Sequence, residues 1–149
     1  MRIINKSKLP NSKIREIVNF VKPSGIKNFD IIITNTSTGW HYGCARRNQV
    51  LIRLSDKEKF PFIHDCGKPY LPILLLTEDE SLIQIFAHEL RHVYQHQHGN
   101  KRLRNKIKIG KKVGKETDAD VYAIRKVREW RRRQPQPIIS LNSLNELMS

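Results

Sequence analysis

The chain has 149 residues, with 28 Lys+Arg against 14 Asp+Glu and a formal net charge of +14. That length suits one domain, residues 1–134 with a tail at 135–149, and a chain of this size needs no disulfide staple. Two cysteines, Cys44 and Cys66, make no disulfide framework and suit a reducing, intracellular (cytoplasmic) setting. The longest apolar run, Leu71 to Leu76, falls far short of the ~20 residues that span a bilayer, so no membrane partner is expected.

The elements follow in chain order. Met1 to Pro10 is polar and basic and shows no signal-peptide core. Asn11 to Lys22 is predicted as a helix, with Ile14, Ile17, Val18 and Val21 on one side. Asp30 to Asn35 is a strand through Ile31-Ile32-Ile33. Thr36 to Gly39 is a turn, and Trp40 to Cys44 is a second strand or an irregular stretch. Gln49 to Ser55 alternates as a strand. Asp56 to Tyr70, rich in Pro, Gly and charge, reads as a loop, and Leu71 to Leu76 as a short buried strand. Thr77-Glu78-Asp79-Glu80 has the capping-box form, opening a helix that runs to His98 and stops at Gly99. Lys101 to Lys115 is a basic connector. A second long helix covers Lys115 to Arg133, with Val121, Ile124 and Val127 inward. Ile138 to Met148 forms a tail with room for one short helix.

The capped helix contains His88-Glu89-Leu90-Arg91-His92, an H-E-x-x-H. Residues i and i+4 share a helical face, so both histidines can reach one ion at about 2.0–2.1 Å. Glu89 can then act as general base on a zinc-bound water and pass the proton to a leaving group. Zinc needs a third protein ligand, and three candidates compete. His98 stands at the spacing of H-E-x-x-H-x-x-G-x-x-H, but Gln95 occupies the position where that pattern turns the chain with Gly. His96 lies about 12 Å along the axis from His88, too far to close the site. Glu116 opens the second long helix and is the favoured ligand, with Asp120 one turn later placed to accept a histidine ring N–H. Glu116, Asp118 and Asp120 would also complement the helix dipole if no metal were bound.

Phe86 to His92, followed by Glu116-x-x-Ala119-Asp120-x-Tyr122-Ala123, resembles the paired signature of small gluzincin metallopeptidases. That signature is H-E-L-x-H, then E-x-x-A-D-x-[FY]-A. It is found in HtpX-like peptidases and, in close variants, in ImmA/IrrE-like ones; the preceding strands are similar in layout to SprT-like proteases. The resemblance implies an α+β, zincin-like fold, with a small twisted sheet packed on the motif helix and a second, Glu-bearing helix. It implies a zinc-dependent metallopeptidase acting on a peptide or protein substrate. His88, His92 and Glu116 would hold Zn2+, Glu89 would be catalytic and Asp120 would orient a histidine. An extended peptide would lie along an edge strand, from Gly39 to Leu54 or from Lys68 to Leu71.

Other residues carry further expectations. Tyr122, Tyr94, His41 and Tyr42 are candidates to steady an oxyanion. His41-x-x-Cys44 and His64-x-Cys66 have ligand-like spacing for a second zinc site. Lys101, Arg102, Arg104, Lys106, Lys108, Lys111, Lys112 and Lys115 form one basic cluster. Arg125, Lys126, Arg128, Arg131, Arg132 and Arg133 form another, around Trp130. They read either as a solvated surface or as a phosphate-tracking nucleic-acid patch with Trp130 stacking on a base. The alternative to a peptidase is therefore a nucleic-acid-binding protein on a zincin scaffold, or a DNA-associated protease that combines the two.

Overall fold

Alternating β-branched residues build the main sheet. In the computed structural model, which describes residues 1–65, 71–99 and 114–135, strands β2 (Asp30–Thr36) and β4 (Gln49–Ser55) run parallel, with Ile31 beside Val50 and Ile33 beside Ile52. These four side chains and Leu54 are buried on one face. Two positions apart they repeat on the same side, as strand geometry requires.

Met1 to Pro10 had no expected element, yet Arg2–Asn5 forms a parallel strand, β1, against β2. Helix α1 (Asn11–Val21) connects the two, and Ile14, Ile17, Val18 and Val21 are its buried side, as the periodicity predicts. Strand β3 (Tyr42–Ala45) pairs antiparallel with β4, giving the order β1-β2-β4-β3 and leaving β3 on an edge.

The segment 56–70, expected as loop throughout, contributes β5 (Phe62–His64), which pairs antiparallel with β6 (Ile73–Leu75). Leu71 to Leu76 is not a wholly buried strand: Leu75 is buried, but Leu74 and Leu76 are 47% and 46% exposed. A two-stranded ribbon has one face to cover, so alternate leucines meet solvent.

Helix α2 (Glu78–His98) runs through the middle of the molecule, with Glu80 to Leu90 buried without a break. Thr77 caps it, its hydroxyl accepting the Glu80 N–H at 3.2 Å. The Glu80 carboxylate reaches back to the Leu76 N–H rather than the Thr77 N–H, and also accepts from Arg131. Gly99 ends the helix at φ 68°, its N–H bonded to the Gln95 carbonyl. Helix α3 (Lys115–Arg133) packs along α2 through Ala119, Ala123 and Val127. Of the expected inward set only Val127 is fully buried; Val121 and Ile124 are half-buried. The small alanines let the two helices approach closely, and the bulkier residues flank the contact.

The described residues thus form an α+β fold, with three helices on small sheets. Among the described residues, no helix is long and apolar enough to cross a membrane. The connector from Lys101 to Val113 and the tail from Ile138 to Met148 lie outside the described residues.

Candidate metal centre

Two elements meet at the site: α2 brings His88 and His92, and the first turn of α3 brings Glu116. His88 Nε2 and His92 Nε2 are 3.1 Å apart, His88 Nε2 is 3.1 Å from Glu116 Oε2, and His92 Nε2 is 3.1 Å from Glu116 Oε1. Four ligands about 2.0–2.1 Å from a tetrahedral ion would stand roughly 3.3–3.4 Å apart. The two ring nitrogens stand near that spacing, and each lies 3.1 Å from a different oxygen of the Glu116 carboxylate, so the carboxylate straddles the point at which both rings aim. Among the described residues this is the group of His, Cys, Asp and Glu whose ligand atoms converge in this way.

The outer atoms of both rings are held. His88 Nδ1 faces Asp120 Oδ1 at 2.9 Å, and Asp120 is itself buried, its other oxygen accepting the Leu71 N–H. His92 Nδ1 meets Gln95 Oε1 at 2.7 Å. The Gln95 amide is locked in that orientation because its Nε2 donates to Lys115 O and to Asp118 Oδ2. Asp118 is in turn clamped by Arg91, Nε at 2.7 Å and Nη2 at 3.2 Å. A carboxylate and an amide oxygen only accept, so each ring carries its proton on Nδ1. A neutral ring then presents its Nε2 lone pair inward. Two lone pairs and a carboxylate aimed at one point fit a cation chemically.

Charge in the ion-free site follows the same logic. Burial works to lower the His88 pKa, but the hydrogen bonds of Asp120 and Glu116 and the charge of Glu89 outweigh it and push it up to about 9. A proton thus stands in for the cation. The bond with His88 is the main cause holding the Glu116 carboxyl below its usual value. Burial pushes Glu89 up, against the opposing pull of His88 and His92.

Glu89 lines a small cleft of about 130 Å³ together with Trp40, Tyr42, Gly43, His64 and His88. Of the four oxyanion candidates, Tyr42 and His41 border this cleft. The Tyr122 hydroxyl instead donates to Val21 O, and Tyr94 lies against His98 and Arg91. The His98 ring bonds Gly25 O at 2.8 Å and His96 is exposed, so neither joins the group. His41 is not free for a second metal: its Nδ1 accepts the Ser55 N–H at 2.8 Å and its Nε2 lies 3.0 Å from Glu58. Cys44 is exposed and free, and Cys66 lies outside the described residues.

Read from the sequence, Gln95 counts only as a missing Gly, Asp118 only as a dipole partner and His64 only as a companion to Cys66. The signal that could have found the first two is a polar pair in positions that prove buried, Gln95 one turn after His92 and Asp118 two before Asp120. Among the basic residues, Lys101 to Lys112 lie outside the described part. Lys115, Arg132 and Arg133 are exposed, while Arg131 is tied to Glu80 and to the Leu74 carbonyl. Trp130 is half-buried and packs edge-on against Phe20 at 5.4 Å, with Lys13 over its ring.

No family model, curated protein or solved structure gives a significant match to this chain.

Proposed function

We propose that the protein is a zinc-dependent metallopeptidase with a zincin-like fold, working inside the cell. The observation that carries this reading is the convergence of His88 Nε2, His92 Nε2 and the Glu116 carboxylate, whose two oxygens lie 3.1 Å from one nitrogen each, with Glu89 beside them on the wall of a cleft. Two nitrogens and one carboxylate oxygen are a zinc donor set, and three protein ligands leave the fourth position open, as catalytic sites do. A zinc ion held there supplies Lewis acidity towards a peptide carbonyl and eases deprotonation of water.

The chain's own residues do the rest. Asp120 and Gln95 fix the two imidazoles so that only Nε2 faces inward. Glu89 takes a proton from the water that attacks the scissile carbonyl carbon and gives it to the amine that departs as the C–N bond breaks. Burial raises its affinity for that proton, which suits a group that must both accept and return it. The outer edge of β3, unpaired among the described residues, borders the same cleft through Tyr42 and Gly43. An extended peptide can add to such an edge by main-chain hydrogen bonds.

Reconstitution with zinc followed by metal analysis and a casein-cleavage assay tests this. Wild type and Glu89→Gln should each hold one zinc per chain, and Glu89→Gln should lose cleavage by roughly 10²–10⁴-fold. A wild type that takes up no zinc would sink the site assignment, and equal cleavage by both proteins would sink the role of Glu89.

A further inference from the structure

Gly43 sits in the middle of β3, directly opposite Ile52 of β4. The only glycines at positive φ among the described residues are Gly25 and Gly99, so the backbone conformation at residue 43 does not call for glycine. Its surroundings do. A Cβ built at this position would stand 2.7 Å from Glu89 Cγ, 2.9 Å from Glu89 Cδ and 3.0 Å from the Leu51 carbonyl oxygen. All three are inside van der Waals contact. The Leu51 oxygen is fixed in the β3–β4 pair, so the group that would have to give way is the Glu89 side chain.

We propose that Gly43 is the positioning residue for Glu89: the bare main chain of the edge strand leaves the slot in which the Glu89 side chain lies, and so sets where its carboxyl stands relative to His88 and His92. The role rests on the peptidase reading above. Glu89 leaves α2 next to His88, is buried, and shares the cleft wall with Gly43. A methyl group at residue 43 would press on the aliphatic part of Glu89 and swing the carboxyl off its line, leaving the metal ligands untouched. Gly39, also near the edge strand, has nothing within 4 Å of a built Cβ and is the natural control.

The experiment compares Gly43→Ala and Gly39→Ala with wild type for zinc content, kcat and KM. It also runs a thermal-stability cycle of Gly43→Ala with and without Glu89→Ala. Misplacing a reacting group by about 1 Å costs on the order of a hundredfold. Gly43→Ala should therefore keep one zinc per chain and lose roughly tenfold to a hundredfold in kcat, with KM within about twofold; Gly39→Ala, which meets no neighbour, should match wild type in zinc content and Tm. Gly43→Ala should lower Tm when Glu89 is present and lower it less in the Glu89→Ala background, where the clashing atoms are gone. That cycle decides the contact even if the single Gly43→Ala variant folds poorly. A Gly43→Ala enzyme with wild-type kcat, a change confined to KM, or an equal Tm loss in both backgrounds would overturn the proposal. A zinc-loaded wild type that cuts nothing would instead remove the peptidase reading, with the cycle still reporting on Gly43 and Glu89.

Discussion

His88 and His92 are supported unequally, one by a buried carboxylate and the other by an amide. Asp120 is a full charge at 2.9 Å, whereas Gln95 is a dipole whose direction depends on Asp118 and Lys115 O. Removing the outer partner of a metal histidine typically costs 10–100-fold in metal affinity. Gln95→Leu keeps the side chain's size but leaves the His92 N–H and one oxygen of Asp118 without that amide. It should weaken zinc binding by roughly that factor, read by competition with a fluorescent chelator, while far-ultraviolet dichroism stays at the wild-type level. Unchanged affinity would mean that the His92 ring is held by packing alone. Legibility at this scale divides by distance along the chain. His88, His92 and Glu89 are readable because their relation is fixed by one helix. Asp120 is readable by its offset from Glu116. Gln95 is not, because its role is set by Lys115 and Asp118, some twenty residues away and reached only when α3 docks on α2.

Elements were legible where they are long enough to display a period. α1 and α2 show their buried stripes, and Thr77 and Gly99 mark the ends of α2. β1 and β5, of four and three residues, offer too few positions for alternation, and only their pairing partners define them. Between the elements, one buried junction has a clear pH signature. His41 precedes β3, accepts the Ser55 N–H at the end of β4 and faces Glu58, which accepts from Ser81 in α2. Its Nδ1 must keep a lone pair for Ser55, so protonation breaks that bond. Burial is the main cause that lowers its pKa below 6.5, opposed by Glu58 and Glu78 and reinforced by His64. The unfolded chain then binds the proton more readily than the folded one, and stability rises with pH across this window. The contribution of His41 should be complete above about 6.5 and decline as pH falls from there through its lowered folded value. Urea unfolding at a series of pH values, always in the same zinc state, should show a shallower acid-side loss for His41→Gln than for wild type. Parallel curves would show that His41 titrates alike in both states.

At the scale of the whole molecule, a surplus of +14 works against drawing a cation to the surface. The local picture is the reverse: Glu89, Glu116, Asp118 and Asp120 gather around two histidines, and Arg91 answers one of the four. Because the proposed ligands come from two helices, an ion held by them would cross-link α2 to α3 in a way that no single helix could supply. Binding only the folded state stabilises it by RT ln(1 + [L]/Kd), about 2.7 kcal/mol at a free zinc concentration a hundred times Kd. For a domain of this length that corresponds to a Tm rise of roughly 5–11 °C, reversed by a chelator. Glu116→Gln should lose most of this rise, since it weakens the tie to α3. Glu89→Gln should keep it, since the role proposed for Glu89 is that of base and not of ligand. Differential scanning calorimetry with and without zinc separates these cases. A zinc-dependent rise surviving in Glu116→Gln would move the third ligand elsewhere. Its loss in Glu89→Gln would make Glu89 a ligand, and the base would have to be sought in another wall of the cleft.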